Sequence, residues 1–158
     1  MTGCATTPFQ AGAPEGAIDV IAHRGASAYA PENTLPSYQL AADMGADWFE
    51  LDCTLTRDNQ VIVIHDDDTE RTTDKPGKVR GQTLAELKAL DAGAWKDPKF
   101  AGTRLPTLAE ALDFAKSRGV GVYIEIKNNA IDDAMIAKTI KMGEGVDTLT
   151  PPMRRKMM

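Results

Sequence analysis

The segment that decides the fold is Val120-Gly121-Val122-Tyr123-Ile124-Glu125-Ile126-Lys127. Its almost continuous apolar character is typical of a strand in a parallel sheet that is covered on both faces. Parallel strands need a long crossover connection, which is usually a helix. If this segment is such a strand, the sequence around it should alternate between strands and helices.

Strands and helices do alternate along the sequence. The segments with the pattern of strands are 17–22, 47–55 and 120–127. The segments with the pattern of helices are 34–44, 107–118 and 130–142. This order favours an α/β fold with right-handed crossovers, either a barrel or a doubly wound sheet.

Capping residues mark the helix ends. Asn33 or Thr34 caps the first helix, and Gly45 ends it. Thr107 and Glu110 form a capping box that begins the helix before the third strand. Both helices are therefore predicted from local signals as well as from their apolar pattern.

Other regions lie outside this alternation. A turn at 57–59 returns the chain through 60–65 as a hairpin, and 66–105 is a charged, irregular segment with one short helix. The ends read as a flexible tail over 1–16 and an irregular tail over 141–158, in which no strand is recognisable. One domain is predicted over 17–140.

Length and charge exclude several classes of protein. The chain has 158 residues, the size of one domain. Its net charge of −5 argues against sequence-independent binding of nucleic acid or anionic lipid, which needs a basic surface. The longest aliphatic run, Val61-Ile62-Val63-Ile64, is too short to span a bilayer, so no transmembrane segment is predicted.

Three carboxylates fall at the ends of neighbouring strands. Glu50 and Asp52 are two residues apart on one strand, so their side chains lie on the same face. Glu125 has the matching position on the next parallel strand, with Lys127 two residues beyond. Three oxygen donors at the ligand-binding edge of a parallel sheet suit Ca²⁺ or Mg²⁺.

The two histidines of the chain, His23 and His65, also stand at strand ends. Their position next to the carboxylates favours an acid/base pair over two structural residues. Arg24 offers a planar donor for phosphate. These residue types together suit phosphate ester chemistry, whereas Asp66, Asp67 and Asp68 are interpreted as exposed loop residues.

Several short motifs of the chain together resemble one family, the glycerophosphodiester phosphodiesterases. The motifs are His23-Arg24-Gly25-Ala26, Pro31-Glu32-Asn33-Thr34, Glu50-Leu51-Asp52, His65-Asp66, Leu105-Pro106-Thr107-Leu108-Ala109-Glu110 and Glu125-Ile126-Lys127. The resemblance implies a TIM barrel. Because a complete barrel has eight strands and about 250 residues, it also implies a partial barrel of roughly the first three βα units plus the family's inserted segment, 66–105.

The resemblance also implies an activity and a role for each residue. The reaction would release an alcohol and sn-glycerol 3-phosphate from a small glycerophosphodiester with a divalent cation, Ca²⁺ in preference to Mg²⁺. The metal ligands would be Glu50, Asp52 and Glu125. The acid/base pair would be His23 and His65, the phosphate-binding residues Arg24 and Lys127, and the supporting residue Glu32. The inserted segment would cover the glycerol end of the substrate.

Two alternatives remain open on the sequence. A related phospholipase D-like enzyme on the same barrel uses similar residues, but such enzymes usually need an apolar membrane-facing surface. A non-catalytic half-barrel that binds Ca²⁺ or phosphate belongs to another class of protein. An open sheet would expose apolar edges, so either self-association or low stability is expected.

Cys4 is relevant to the cellular location of the protein. Its surroundings, Met1-Thr2-Gly3-Cys4-Ala5-Thr6-Thr7-Pro8, resemble the lipidated junction of a bacterial lipoprotein. A lipid anchor at Cys4 predicts a periplasmic or other extracytoplasmic protein. The chain as written has no basic and apolar leader before this cysteine, which instead predicts a cytoplasmic protein.

Overall fold

A computed structural model describes residues 18–127, 139, 141 and 148–149. The described strands are β1 (Ile21–Ala22), β2 (Trp48–Leu55), β3 (Val61–Val63), β4 (Gly121–Ile126) and β5 (Thr148–Leu149). The described helices are α1 (Leu35–Asp43), α2 (Leu84–Lys88) and α3 (Leu108–Arg118), with 3-10 helices at Val79–Gly81 and Pro98–Phe100. This part of the chain is an α/β structure, as the sequence predicts.

All these strands belong to one sheet. β1, β2, β4 and β5 run parallel in that order, and β3 pairs with β2 as its antiparallel hairpin partner. The central pair, β2 and β4, is aligned so that Asp52 lies opposite Glu125 and Glu50 opposite Tyr123. Residues opposite each other on parallel strands share a face, so this register brings Asp52 and Glu125 together.

Alternate side chains of β2 lie on opposite faces of the sheet, so the apolar core and the site residues occupy different faces. Phe49, Leu51 and Cys53 are buried against α1 and α3, where the Tyr38 ring stacks on Phe49 with centroids 4.1 Å apart. Glu50 and Asp52 occupy the opposite face of the same strand, because successive side chains of a strand point to opposite sides. The apolar core thus fixes the strand that carries the carboxylates.

The helix ends follow the capping signals of the sequence. Thr34 is the N-cap of α1, and Gly45 beyond its end has a φ of +84°, a conformation that glycine adopts without strain. The Glu110 N–H donates to the Thr107 hydroxyl, and the Glu110 carboxylate accepts from the Thr107 N–H, closing the predicted capping box of α3.

The segment 66–105 has a small apolar core of its own. Its buried residues Val79, Leu87 and Leu105 pack with Ile62 and Ile64 of the hairpin. The sequence predicts one short helix here, which is α2, and the structure adds the two 3-10 helices. Packing against the hairpin holds this segment beside the carboxyl ends of the strands.

Two predictions about strands are corrected. The first strand is predicted over 17–22, but of the described residues 18–22 only Ile21–Ala22 form it. The Asp47 carboxylate accepts from the Val20 N–H, so a side chain takes the place of a further ladder bond. The tail over 141–158 is predicted without a strand, yet Thr148–Leu149 pairs in parallel with β4. Two residues are too few to produce a periodic pattern.

Some predictions lie outside the described residues. They concern the tail over 1–16 with Cys4 and nearly all of the helix over 130–142, and the boundaries of the domain stay predictions. Within the described part of the chain, no helix combines the length and apolar character that crossing a bilayer requires.

Gly121 is expected to be intolerant of any side chain. A Cβ at this position would lie 2.0 Å from Cε3 of Trp48, in a ring that cannot bend away. We expect Gly121→Ala to lower the free energy of unfolding by about 3 kcal/mol, measured by urea denaturation. Gly81→Ala is the control, since the nearest atom to its Cβ would be 3.7 Å away. Equal stabilities for the two variants would contradict this packing.

Candidate active site

Three carboxylates converge at the carboxyl ends of β2 and β4. One oxygen each from Glu50, Asp52 and Glu125 lies within 4.8 Å of the other two. Asp52 is fully buried and Glu50 nearly so, whereas the side chain of Glu125 is half-exposed. The cluster therefore has a buried floor and one side open to solvent.

The charge balance of the cluster favours a cation. Burial and then the charge of Asp52 raise the pKa of Glu50 to about 7. Glu50 Oε2 accepts from the Arg24 N–H at 2.9 Å, but the buried Oε1 has no hydrogen-bond partner among the described residues. An unpartnered buried carboxylate oxygen is costly. An all-oxygen donor set with one oxygen unpartnered fits a hard divalent cation such as Ca²⁺ or Mg²⁺.

Asp52 is held in place by Asn33. The Asn33 side-chain amide donates to Asp52 Oδ2 at 2.9 Å, and Asn33 Oδ1 accepts from the Tyr38 hydroxyl at 3.2 Å. Asn33 has a φ of +56°, a left-handed conformation that asparagine tolerates better than most residues. The sequence marks Asn33 only as a helix cap or part of a motif and contains no signal for this contact.

Arg24 and Lys127 both contact the carboxylates. Arg24 Nε lies 3.1 Å from Asp52 Oδ2, and its Nη1 donates to Glu32 Oε1 at 3.0 Å. Lys127 Nζ lies 2.8 Å from Asp52 Oδ1 and 2.7 Å from Glu125 Oε1. Burial alone would lower the pKa of Lys127, but Asp52 and Glu125 outweigh it and raise the pKa. Two cationic side chains therefore lie directly against the carboxylates of the cluster.

His23 lies on the solvent side of the cluster. Its Nε2 is 3.9 Å from Glu50 Oε2, and 69% of its side chain is exposed. The backbone N–H of the next residue, Arg24, is the one that donates to Glu50. The imidazole is thus beside the carboxylates but free to meet a ligand.

His65 is connected to the cluster by contacts through Asp66 and Arg71, which both belong to the segment 66–105. Its Nδ1 lies 2.5 Å from Asp66 Oδ1. The Arg71 guanidinium donates to both oxygens of Asp66 and to both oxygens of Glu32. The prediction that Asp66 is an exposed loop residue is therefore wrong: only about a quarter of its side chain is exposed. The sequence contains no periodic signal for this contact, because Arg71 returns to Asp66 through a turn.

The other two aspartates agree better with the sequence interpretation. Asp67 is exposed, and Asp68 forms an ion pair with Lys78 whose atoms are 3.2 Å apart. The interpretation as an exposed loop residue therefore agrees with the structure for Asp67, whereas Asp68 is only partly exposed.

One network of contacts joins all eight predicted residues. It consists of the carboxylate cluster, the two cations, both histidines and Glu32, completed by Asp66 and Arg71. Each predicted residue is within 4 Å of another member of this network. The structure thus brings the predicted site residues together, while their individual roles stay predictions.

Comparison with known proteins identifies the family. The model of the glycerophosphoryl diester phosphodiesterase family matches residues 23–149, which include every residue of the network. The chain belongs to this family. The resemblance stated from the short motifs is therefore confirmed.

Similar proteins place the chain within this family. YhdW of Bacillus subtilis is 52% identical over 110 residues, which are 70% of this chain and 45% of YhdW. The glycerophosphodiester phosphodiesterase of Caldanaerobacter subterraneus is 46% identical over 112 residues, 71% of this chain and 46% of that protein. This member of the family thus spans less than half the length of each of these relatives.

Solved structures confirm the fold. A phosphodiesterase of Oleispira antarctica, in complex with the product sn-glycerol-3-phosphate, superposes with a TM-score of 0.79 and 38% identity. The match covers 84% of this chain and 56% of the other. The prediction of a partial TIM barrel is confirmed, with four parallel strands described in place of the three predicted.

Proposed function

We propose that this chain supplies the catalytic site of a metal-dependent phosphodiesterase that hydrolyses glycerophosphodiesters to an alcohol and sn-glycerol 3-phosphate. The observation that carries the proposal is the single network that joins three carboxylates, two histidines, an arginine and a lysine. The names of the family and of its relatives support this choice of substrate.

Glu50, Asp52 and Glu125 would hold the proposed cation. We favour Ca²⁺ over Mg²⁺, because a site with one half-exposed ligand suits the flexible oxygen coordination of Ca²⁺ better than a strict octahedron. When bound, such an ion polarises a phosphoryl oxygen and stabilises negative charge on it.

Arg24 and Lys127 bind the phosphate group. Both cations contact the Asp52 carboxylate, so their positive charges lie close together at the cluster. Glu32 fixes the direction of the Arg24 guanidinium through its 3.0 Å hydrogen bond. Their charge offsets the negative charge that develops on the phosphoryl oxygens in the transition state.

The two histidines move the protons. One removes a proton from the attacking oxygen, which is water or the 2-hydroxyl of the glycerol. The other gives a proton to the leaving alkoxide. His23 is largely exposed and the side chain of His65 is one-third exposed, so substrate can reach both rings. General acid/base transfer of this kind typically accelerates a reaction by about 10²–10⁴.

The test is the release of glycerol 3-phosphate from glycerophosphocholine and glycerophosphoethanolamine. Assays contain Ca²⁺, Mg²⁺ or EDTA, and we expect turnover with Ca²⁺ that EDTA removes. The control variant is Asp113→Asn, which neutralises an exposed aspartate on α3 outside the network of the site. It should retain full activity. Turnover that is undiminished by EDTA would contradict metal dependence.

A second candidate function rests on the carboxylate cluster alone, which could hold a cation without any reaction. In that case the chain binds Ca²⁺ or phosphate without turnover. A cooperative melt that Ca²⁺ shifts upward, together with no glycerol 3-phosphate in the assay, would support this function over the first.

A further inference from the structure

Arg71 connects the two halves of the site. Its Nη1 and Nη2 donate to the Glu32 carboxylate at 2.7 and 2.8 Å. Its Nε and Nη2 donate to the Asp66 carboxylate at 2.7 and 3.2 Å. We call Glu32, Arg71, Asp66 and His65 the Arg71 bridge. Planar, two-pronged contacts of this type fix orientation as well as charge.

The bridge determines which nitrogen of His65 carries a proton. Arg71 and then His65 lower the pKa of Asp66 to about 2, so Asp66 is ionised at neutral pH and can only accept hydrogen bonds. His65 Nδ1 lies 2.5 Å from this carboxylate, so Nδ1 must be the donor. In a neutral imidazole the other nitrogen, Nε2, then has a free lone pair.

Glu32 anchors the far end of the bridge. Burial would raise the pKa of this carboxyl, but Arg71 and Arg24 outweigh it and lower the pKa, so Glu32 is also ionised. Glu32 accepts from Arg24 as well as from Arg71. Through Arg24, the bridge is tied to Asp52 and the carboxylate cluster.

We propose that Arg71 is a positioning residue, which fixes the Asp66 carboxylate and so holds His65 in the Nδ1–H form with Nε2 free for proton transfer. The catalytic part of this inference rests on the proposed function, whereas the protonation state of His65 does not. Arg71 touches neither His65 nor any metal-binding carboxylate in the contacts that the structure describes, so it acts through Asp66.

A purely structural role for Arg71 makes a different prediction. If Arg71 only anchors the segment 66–105, its replacement should alter stability without changing the protonation of His65. If it positions Asp66, its replacement should change the tautomer of His65 in a protein that is still folded. The two roles are therefore separated by observing the imidazole itself.

The test is ¹⁵N NMR of the imidazole rings over a pH series, read at the alkaline end where the ring signals no longer change with pH. The chain has two histidines, so replacing one assigns both signals, and His23 is the internal reference. We expect the parent His65 to be predominantly Nδ1–H. In Arg71→Gln we expect His65 to shift toward the Nε2–H form, with His23 unchanged.

Control variants complete the design. Arg80→Gln removes an exposed arginine of the same segment and should leave both rings as in the parent. Asp66→Ala should reproduce the shift of Arg71→Gln. Arg71→Lys keeps the charge but not the two-pronged contact, so it should give an intermediate tautomer ratio if Arg71→Gln does not fold. A parent His65 in the Nε2–H form, or a folded Arg71→Gln variant with an unchanged ring, would overturn the inference.

Kinetics provide the second readout. We expect Arg71→Gln to lower kcat about 10- to 100-fold with KM changed less than about threefold, as for other supporting residues of an active site. An active parent whose kcat is unaffected by Arg71→Gln would overturn the positioning role alone. An inactive parent would overturn the proposed function, and the tautomer measurement would still decide this inference.

Discussion

Asp52→Asn is expected to abolish tight binding of a divalent cation. Asp52 is fully buried and clusters with Glu50 and Glu125. Its two oxygens contact the side chains of Arg24 and Lys127. Neutralising it removes the central negative charge of the cluster while Arg24 and Lys127 remain. We expect the dissociation constant for Ca²⁺ to rise more than about 100-fold in calorimetric titration.

Stability provides an independent check of the same variant. At a Ca²⁺ concentration of about 100 times the dissociation constant, the parent should gain about 2.7 kcal/mol of unfolding free energy. Asp52→Asn should gain almost none at that concentration. Asp113→Asn makes the same chemical change on the exposed face of α3 and should behave like the parent. If Ca²⁺ still raised the unfolding free energy of Asp52→Asn, the ion would have to bind at another site.

His65→Ala is expected to lower kcat for glycerophosphodiesters by about 10²–10⁴, because it removes one of the two groups proposed to transfer protons. The side chain is one-third exposed and its described contact is with Asp66, so the fold should persist. The measurement is steady-state release of glycerol 3-phosphate at saturating Ca²⁺.

The control for this variant separates chemistry from binding. His65→Ala keeps all three carboxylates and should bind Ca²⁺ with the affinity of the parent. Gln60→Ala, which truncates an exposed residue just before β3, should retain full activity. Parental turnover by His65→Ala would remove His65 from the mechanism and leave His23 as the sole candidate for proton transfer.

The carboxylate cluster could be predicted from the sequence because strand geometry is regular. Side chains two residues apart share a face, and the carboxyl ends of parallel strands meet at one edge. Those two rules are sufficient to bring Glu50, Asp52 and Glu125 together before any coordinates are known. The capping box of α3 is equally local, and it forms as predicted.

The Arg71 bridge and β5 could not be predicted in this way. Arg71 meets Glu32 across a distance in sequence that no periodic rule covers, inside a segment whose path is set by packing against the hairpin. The two residues of β5 pair because β4 offers a free edge, which is a property of the folded sheet and not of the local sequence. Contacts that depend on tertiary packing carry no signal in local composition.

The pairing of Asp52 with Glu125 has a consequence for the order of events in folding. These residues stand at the two ends of a long loop that contains β3, α2 and α3, and closing a flexible loop of this length costs roughly 4 kcal/mol of chain entropy. An ion that binds both carboxylates joins the two ends like a reversible cross-link. A chain in which β2 and β4 have not yet met has no complete ligand set, so capture of the ion can only follow closure of the sheet.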